Sequence, residues 1–396
     1  MSQPEVTIGT AGHIAHGKTS LIYALTGKLT LSHSEELKRG ITIKLGYADM
    51  EIRKCDKCEK LSTKKKCPFC GGETSLVRKV SFVDSPGHES LMATVAAASS
   101  IMDGAMLVIA ANEPCPQPQT EEHLKVLKLA GVNNIIVVQN KIDLVSDEQA
   151  VENYNQIKDL LARYDVDAPV IPASAHRSSN FDVILQAIED FIPTPKRDKS
   201  KDPIMLTVRS FDVNKPGTDI SDLVGGVVGG SIISGEFKVG QKIEIRPGVK
   251  EKGFEPIVTE IASLYSGKES LKKASPGGNI AIGTKLDPSL TGSDALAGRV
   301  VGLTGKLPPV FSELKLRVES FDRDIDFKPF INNEVVLVNA WTARSAGYVK
   351  SFKKDILELS VKPPVCIDPS VKVVLSRKVD GRWRLFGYGV IDESGT

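Results

Sequence analysis

The chain has 396 residues, of which 41% are hydrophobic and 25% charged, and its formal net charge is +2. That length exceeds one ordinary domain and supplies apolar residues for two or three buried cores. The balanced charge excludes a globally basic nucleic-acid binder, and no run approaches the ~20 uninterrupted apolar residues of a membrane span, so no membrane partner is expected.

Met1-Ser-Gln-Pro-Glu leads directly into an apolar strand-like run at 6–11, which leaves no room for a signal peptide and points to a cytoplasmic protein. Gly12-His-Ile-Ala15-His16-Gly17-Lys18-Thr19 then matches G-x-x-x-x-G-K-[ST] at every fixed position and enters a helix expected over 19–25. In that strand–loop–helix setting, backbone N–H groups from Ala15 and His16 through Gly17 to Ser20 wrap phosphates. Lys18 adds positive charge, and the Thr19 hydroxyl is placed to ligate Mg²⁺.

The next cysteines are Cys55-x2-Cys58-x8-Cys67-x2-Cys70, two CxxC pairs within about 53–74, while Cys115 and Cys366 stand alone. Two such knuckles read as a closed four-thiolate Zn²⁺ site, structural because no position is left open for substrate. Two disulfides or a site that has lost its metal are the other readings. Asp84-Ser-Pro-Gly87-His88 follows the strand-like run 80–83. An Asp at a strand end beside a phosphate loop suits a contact to Mg²⁺ through water, and Gly87 admits close backbone approach to a γ-phosphate.

Asn140-Lys141-Ile-Asp143 follows the run 135–138. The Asp143 carboxylate can accept from guanine N1 and N2, a donor pair that adenine lacks. Ser174-Ala175-His176 follows the run 170–173, where a backbone N–H can meet guanine O6. Four such segments, each at a strand end and in this order, mark a GTP-binding chain. Further helices are expected over 119–130, 150–163 and 182–191, giving residues 1–195 an alternating pattern and a parallel sheet covered by helices. The zinc segment reads as an insertion between the second and third strands.

Residues 192–203, rich in proline and charge, form a linker. Residues 203–306 carry β-branched runs with glycine turns and no long amphipathic pattern, and 310–396 show strand-like runs at 314–320, 334–338, 358–361, 371–376 and 383–390. The expected fold is an α/β P-loop GTPase domain with a zinc-knuckle insertion, followed by two all-β barrel domains.

This order of motifs resembles the translational GTPases. Within them the chain is most similar to the gamma subunits of archaeal and eukaryotic translation initiation factor 2. The likeness runs through the cysteine knuckle, His33 to Ile43, Ala111 to Thr120, Arg209 to Gly217 and Gly381 to Gly389. It implies a GTP/GDP switch that carries methionylated initiator tRNA to the small ribosomal subunit, with alpha and beta subunits completing a heterotrimer. Thr42 matches the switch threonine that reaches Mg²⁺ with GTP bound. His88 matches the water-positioning histidine, and Ile14 and Ile41 the apolar pair that gates it.

One departure stands out: Ala15 occupies a position where the family usually has Asp. That carboxylate, with the Gly40 carbonyl, is expected to hold a second Mg²⁺, and a methyl group cannot ligate a hard cation. Nucleotide binding should survive, with hydrolysis slowed or run on one metal. Lys64-Lys65-Lys66, Arg377-Lys378 and Arg382 with Arg384 are basic clusters that could serve tRNA or simply face solvent. Two alternatives stay open. One is an elongation-type or selenocysteine-type tRNA-delivery factor, and the other a GTP-binding module that has lost hydrolysis.

Overall fold

The computed structural model describes residues 3–31, 36, 42–215, 217–250, 253–321, 329–379 and 381–392. It contains two compact units, Met1–Lys196 and Arg197–Thr396. No helix among the described residues is long and apolar enough to cross a membrane.

The first unit opens with β1 (Val6–Ala11), α1 (Lys18–Thr26), β2 (Gly46–Cys55), β3 (Leu61–Ser62), β4 (Thr74–Asp84) and α2 (Met92–Ser99). It continues with β5 (Gly104–Ala110), α3 (Pro118–Leu129), β6 (Ile135–Asn140), α4 (Asp147–Arg163), β7 (Val170–Pro172) and α5 (Phe181–Phe191). The strands form one sheet in the order β3-β2-β4-β1-β5-β6-β7. Every residue of β1, β5 and β6 is buried, as expected for parallel strands covered on both faces. The expected parallel sheet departs from that pattern at one edge, where β2 runs antiparallel to both β4 and β3. The cause is connectivity. β2 and β4 are joined through the cysteine knuckle and not through a crossover helix, so they can only return antiparallel. Their ladder runs from Gly46–Asp84 to Cys55–Thr74, with a bulge between Ile52 and Arg53.

Helix α4 begins three residues before the apolar pattern suggests. Ser146 caps it, accepting from Gln149 N–H while the Gln149 side chain bonds back to Ser146. Helix α2 lies outside the sequence expectations. Seven of its eight residues are buried, so it has no polar face and presents no stripe to read.

The second unit holds β8 (Ile204–Phe211), β9 (Val227–Ser234), β10 (Phe237–Lys238), β11 (Lys242–Arg246), β12 (Ile257–Ser266), β13 (Glu269–Leu271), β14 (Lys273–Ala274), β15 (Ile280–Thr284) and β16 (Val300–Leu303). Strands β11-β16-β8-β9-β15-β12 close on themselves through β11–β12 pairing. Met205, Val228, Ile232, Ile243, Ile261 and Leu264 fill the interior. A second barrel closes from β17 (Val310–Ser320), β18 (Val335–Ala340), β19 (Ala343–Lys353), β20 (Ile356–Cys366), β21 (Val373–Val379) and β22 (Arg382–Ile391), in the order β17-β20-β19-β18-β21-β22. Strand β19 was not foreseen, because several of its inward positions are small or polar: Ala343, Ser345 and Gly347. A Cβ on Gly347 would lie 2.7 Å from a Val338 methyl, so the close packing itself demands the missing side chain.

Candidate nucleotide site and metal centre

The loop between β1 and α1 carries the first set of candidate residues. Gly17 caps α1 at φ 93°, and a Cβ there would fall 2.3 Å from Asn140 Nδ2. The Lys18 ammonium is held in a carbonyl cradle, donating to Gly12 O at 2.9 Å and His13 O at 2.7 Å. Its burial pulls its pKa down to about 8. A Cβ on Gly87 would meet Lys18 Nζ at 2.3 Å and Ile14 N at 2.8 Å, which is why only glycine brings the backbone after β4 so near the loop.

Asp84 sits at the end of β4, fully buried, inside a cage of hydroxyls. Oδ1 accepts from Thr10 Oγ1 at 3.1 Å, and Oδ2 from Thr19 Oγ1 at 2.7 Å and Thr30 Oγ1 at 2.6 Å. Burial raises its pKa, while the hydroxyls pull the other way. The Thr42 hydroxyl lies 2.8 Å from that of Thr19. Two hard oxygens so spaced match neighbouring vertices of an octahedron around Mg²⁺, which are about 3 Å apart for bonds of about 2.1 Å. The donor set therefore fits that ion. Glu36 positions the strand entry after Thr42, its Oε1 accepting from the N–H groups of Ile43 at 3.0 Å and Lys44 at 2.9 Å.

Ile14, Ala15, Gly17, Lys18, Thr19, Ser20, Thr42, Gly87 and His88 line one cavity of about 130 Å³. Ala15, Gly17 and Ser20 also border a neighbouring cavity of about 260 Å³, together with Asn140, Lys141, Asp143, Ser174, Ala175 and His176. All sequence-derived nucleotide candidates except His16 and Asp84 thus meet around two joined pockets. The His16 side chain points away, fully buried between Val108 O at 3.2 Å and Glu113 Oε2 at 3.3 Å, leaving its backbone to face the loop. Asn140 is a staple: its Nδ2 donates to His16 O at 2.9 Å and its Oδ1 accepts from Ala175 N–H at 2.9 Å. The Asp143 carboxyl stays exposed at the pocket wall, held below the usual carboxylate range first by the Ser174 hydroxyl.

His88 behaves here as a helix cap. Its Nδ1 accepts from Ser90 N–H at 3.2 Å and pairs with Ser90 Oγ at 2.9 Å, while the ring still borders the phosphate cavity. Ala15 adopts the left-handed region at φ 61°, which a side-chain-bearing residue enters at a cost. Gly40 and Ile41 lie outside the described residues.

The four cysteines gather at the far end of the β2–β4 hairpin. Their sulfurs lie within 4.8 Å of one another, with Cys55–Cys70 at 3.4 Å and Cys58–Cys67 at 3.5 Å. Tetrahedral Zn²⁺ with bonds of about 2.3 Å separates its sulfurs by about 3.8 Å, so the cluster fits that ion. Cys55 Sγ accepts from the N–H groups of Cys58 and Lys57, both at 3.4 Å, and its pKa falls to about 6, while burial and the neighbouring thiols push Cys58 up to about 12. Of the basic clusters, Lys64, Lys65, Lys66, Lys378 and Arg382 are exposed and Arg384 is half-buried. Arg377 must be removed from the list: it is buried, bonds Glu334 at 2.7 Å and stacks 4.2 Å over Phe330.

Sequence reading missed Thr10, Thr30 and His123. His123 Nδ1 accepts from Gly12 N–H at 3.0 Å, which fixes a neutral ring with its proton on Nε2; burial drives its pKa well down. Each partner is at least 54 residues away in the chain, so no local spacing could reveal it.

The model of the elongation factor Tu GTP-binding domain matches residues 3–194, that of elongation factor Tu domain 2 matches 225–302, and that of the C-terminal part of initiation factor eIF2 gamma matches 312–391. Translation initiation factor 2 subunit gamma of Pyrococcus furiosus is 55% identical over 99% of this chain and 98% of its own. The same subunit of Methanocaldococcus jannaschii is 55% identical over 98% of both chains. Among solved structures, a bacterial selenocysteine-specific elongation factor superposes with a TM-score of 0.75 at 24% identity, over 99% of this chain and 58% of that longer one. An elongation factor SelB from Methanococcus maripaludis, in complex with a GTP analogue, gives 0.73 at 21%, over 99% of this chain and 80% of its own. These two likenesses show the fold. The near-complete matches at 55% identity and the matching GTP-binding domain show a translational GTPase, and the chain belongs to the family of the gamma subunits of translation initiation factor 2.

Proposed function

We propose that the chain, with GTP bound, carries methionylated initiator tRNA to the small ribosomal subunit and releases it after hydrolysis, as one subunit beside alpha and beta partners. The observation that carries this reading is the end-to-end match to gamma subunits together with the joined pockets, one walled by Lys18 and Thr42 and the other by Asp143.

In this reading Asp143 accepts from guanine N1 and N2, and the Ala175 backbone meets O6. Lys18, freed from its carbonyl cradle, and the loop amides hold the phosphates. Thr19 and Thr42 would hold Mg²⁺ directly and Asp84 through water; when bound, the ion neutralises developing phosphate charge. Thr42 closes the switch segment onto the γ-phosphate, and loss of that phosphate releases it. His88 leaves its Ser90 cap to orient the attacking water. Cys55, Cys58, Cys67 and Cys70 would hold Zn²⁺ as a structural clamp. Ala15 supplies no carboxylate for a second ion, which slows hydrolysis. It also favours a second reading, a binding module without turnover.

The test is binding of the whole chain to methionylated initiator and elongator tRNA with a GTP analogue or GDP, adding alpha subunit. Initiator-selective, analogue-dependent binding supports the proposal. Equal binding of both tRNAs, or of both nucleotide states, overturns it.

A further inference from the structure

Within the second unit, residues from both barrels border a cavity of about 880 Å³, within the size range of small-molecule sites. Its walls are largely apolar, from Val249, Phe254, Val361 and Pro363. Arg299, immediately before β16, lines the same space and is 9% exposed. Its Nε makes no hydrogen bond, and no carboxylate pairs with it among the described residues. The one acid on the wall, Glu313, is occupied by Lys350. Two exposed lysines, Lys250 and Lys362, stand at the same cavity.

A desolvated guanidinium without a counter-charge is costly, and buried charges ordinarily come paired. Burial also lowers the Arg299 pKa with nothing opposing it, so the structure holds no group that compensates. The planar fork of arginine matches a carboxylate or phosphate in bidentate fashion. The apolar walls, in turn, fit the carbon body of a ligand. We infer that this cavity binds a small organic anion, one carboxylate or phosphate on an aromatic or aliphatic body, with Arg299 as its charge partner.

The whole chain, its nucleotide site saturated with GDP, is titrated with 1-anilinonaphthalene-8-sulfonate, and fluorescence is followed. One saturable site is expected, displaced by 1-naphthoate or phenyl phosphate, whose rank order separates the carboxylate from the phosphate source. The neutral 1-naphthylmethanol should compete at least tenfold more weakly. Arg299→Leu should weaken probe binding at least tenfold, and Arg299→Lys less. Unsaturable binding, or an Arg299→Leu chain that binds as tightly as the parent, overturns the inference. Should that variant fail to fold, equal competition by naphthoate and naphthylmethanol on the parent chain overturns it alone.

Discussion

Replacing Thr30 by valine tests whether the hydroxyl cage sets the buried Asp84 carboxylate. Thr30 is 7% exposed and donates at 2.6 Å to a carboxyl at 0% exposure, so solvent screening calls for no discount. Valine preserves the shape of a tight site, where a Cβ on the facing Gly46 would lie 2.6 Å from Thr30 Cβ. What is lost is one hydrogen bond to a charged group, about 1.5–3 kcal/mol. In a unit of this size each kcal/mol shifts the midpoint by about 2–4 °C, so Thr30→Val should melt about 3–12 °C lower in scanning calorimetry of the nucleotide-free chain. Thr30→Ser keeps the donor and should lose less than about half of that. With Mg²⁺ and GDP the deficit should grow, since a Thr19 hydroxyl drawn to the ion leaves Thr30 as the remaining donor to Oδ2. Equal midpoints for Thr30→Val and Thr30→Ser would refute the reasoning, because the methyl and not the hydroxyl would then matter.

The buried histidines give a pH signature. His16 has its pKa lowered from 6.5 to about 4 by burial, so on acidification the unfolded chain takes a proton that the folded chain refuses. Stability should therefore fall between pH 6.5 and 4, by up to about 3 kcal/mol from this group, and flatten below; His16→Gln should lessen the slope of midpoint against pH. Ala15→Asp should hydrolyse GTP faster than the parent in single-turnover assays, whereas Ala15→Gly, which only relieves the left-handed backbone, should not; equal rates for all three sink the second-metal account. Asp143→Asn should cut the preference for GDP over ADP on the order of 100-fold in competition binding, and an unchanged ratio would remove Asp143 from base reading. Cys67→Ser, or chelation, should abolish stoichiometric zinc in elemental analysis while GDP affinity changes less than about threefold. A parent chain purified without metal counts against the knuckle.

The motif residues were legible because the chemistry is local: a glycine loop, a carboxylate at a strand end and paired thiols each declare themselves within a few residues. Strands buried on both faces, such as 6–11, also read cleanly. What stayed hidden was supplied from elsewhere in the chain. Thr10, Thr30 and His123 owe their roles to neighbours brought near by the sheet order, and α2 lost its pattern by being covered all round. Arg377 misled for a related reason. Its charge is plain in the sequence, but the half-buried Glu334 and the Phe330 ring that claim it are not.

The β2–β4 hairpin has the thiol cluster at one end and Asp84 at the other, and its bulge divides the two. On the Asp84 side the rungs are anchored by Ala48, Met50, Val80 and Phe82, all in the core. Beyond the bulge only Arg53–Leu76, Lys54–Ser75 and Cys55–Thr74 remain, and Lys54, Ser75 and Leu76 face solvent. Unzipping that starts from a metal-free tip crosses these three rungs, giving up the Arg53–Thr74 hydrogen bonds and the burial of Cys55 and Thr74, and then meets the packed strands, where each further rung exposes more apolar surface. The bulge marks the point where the cost of fraying from the thiols rises, so loss of metal at the tip should loosen these three rungs well before the stretch of β4 that ends in the carboxylate.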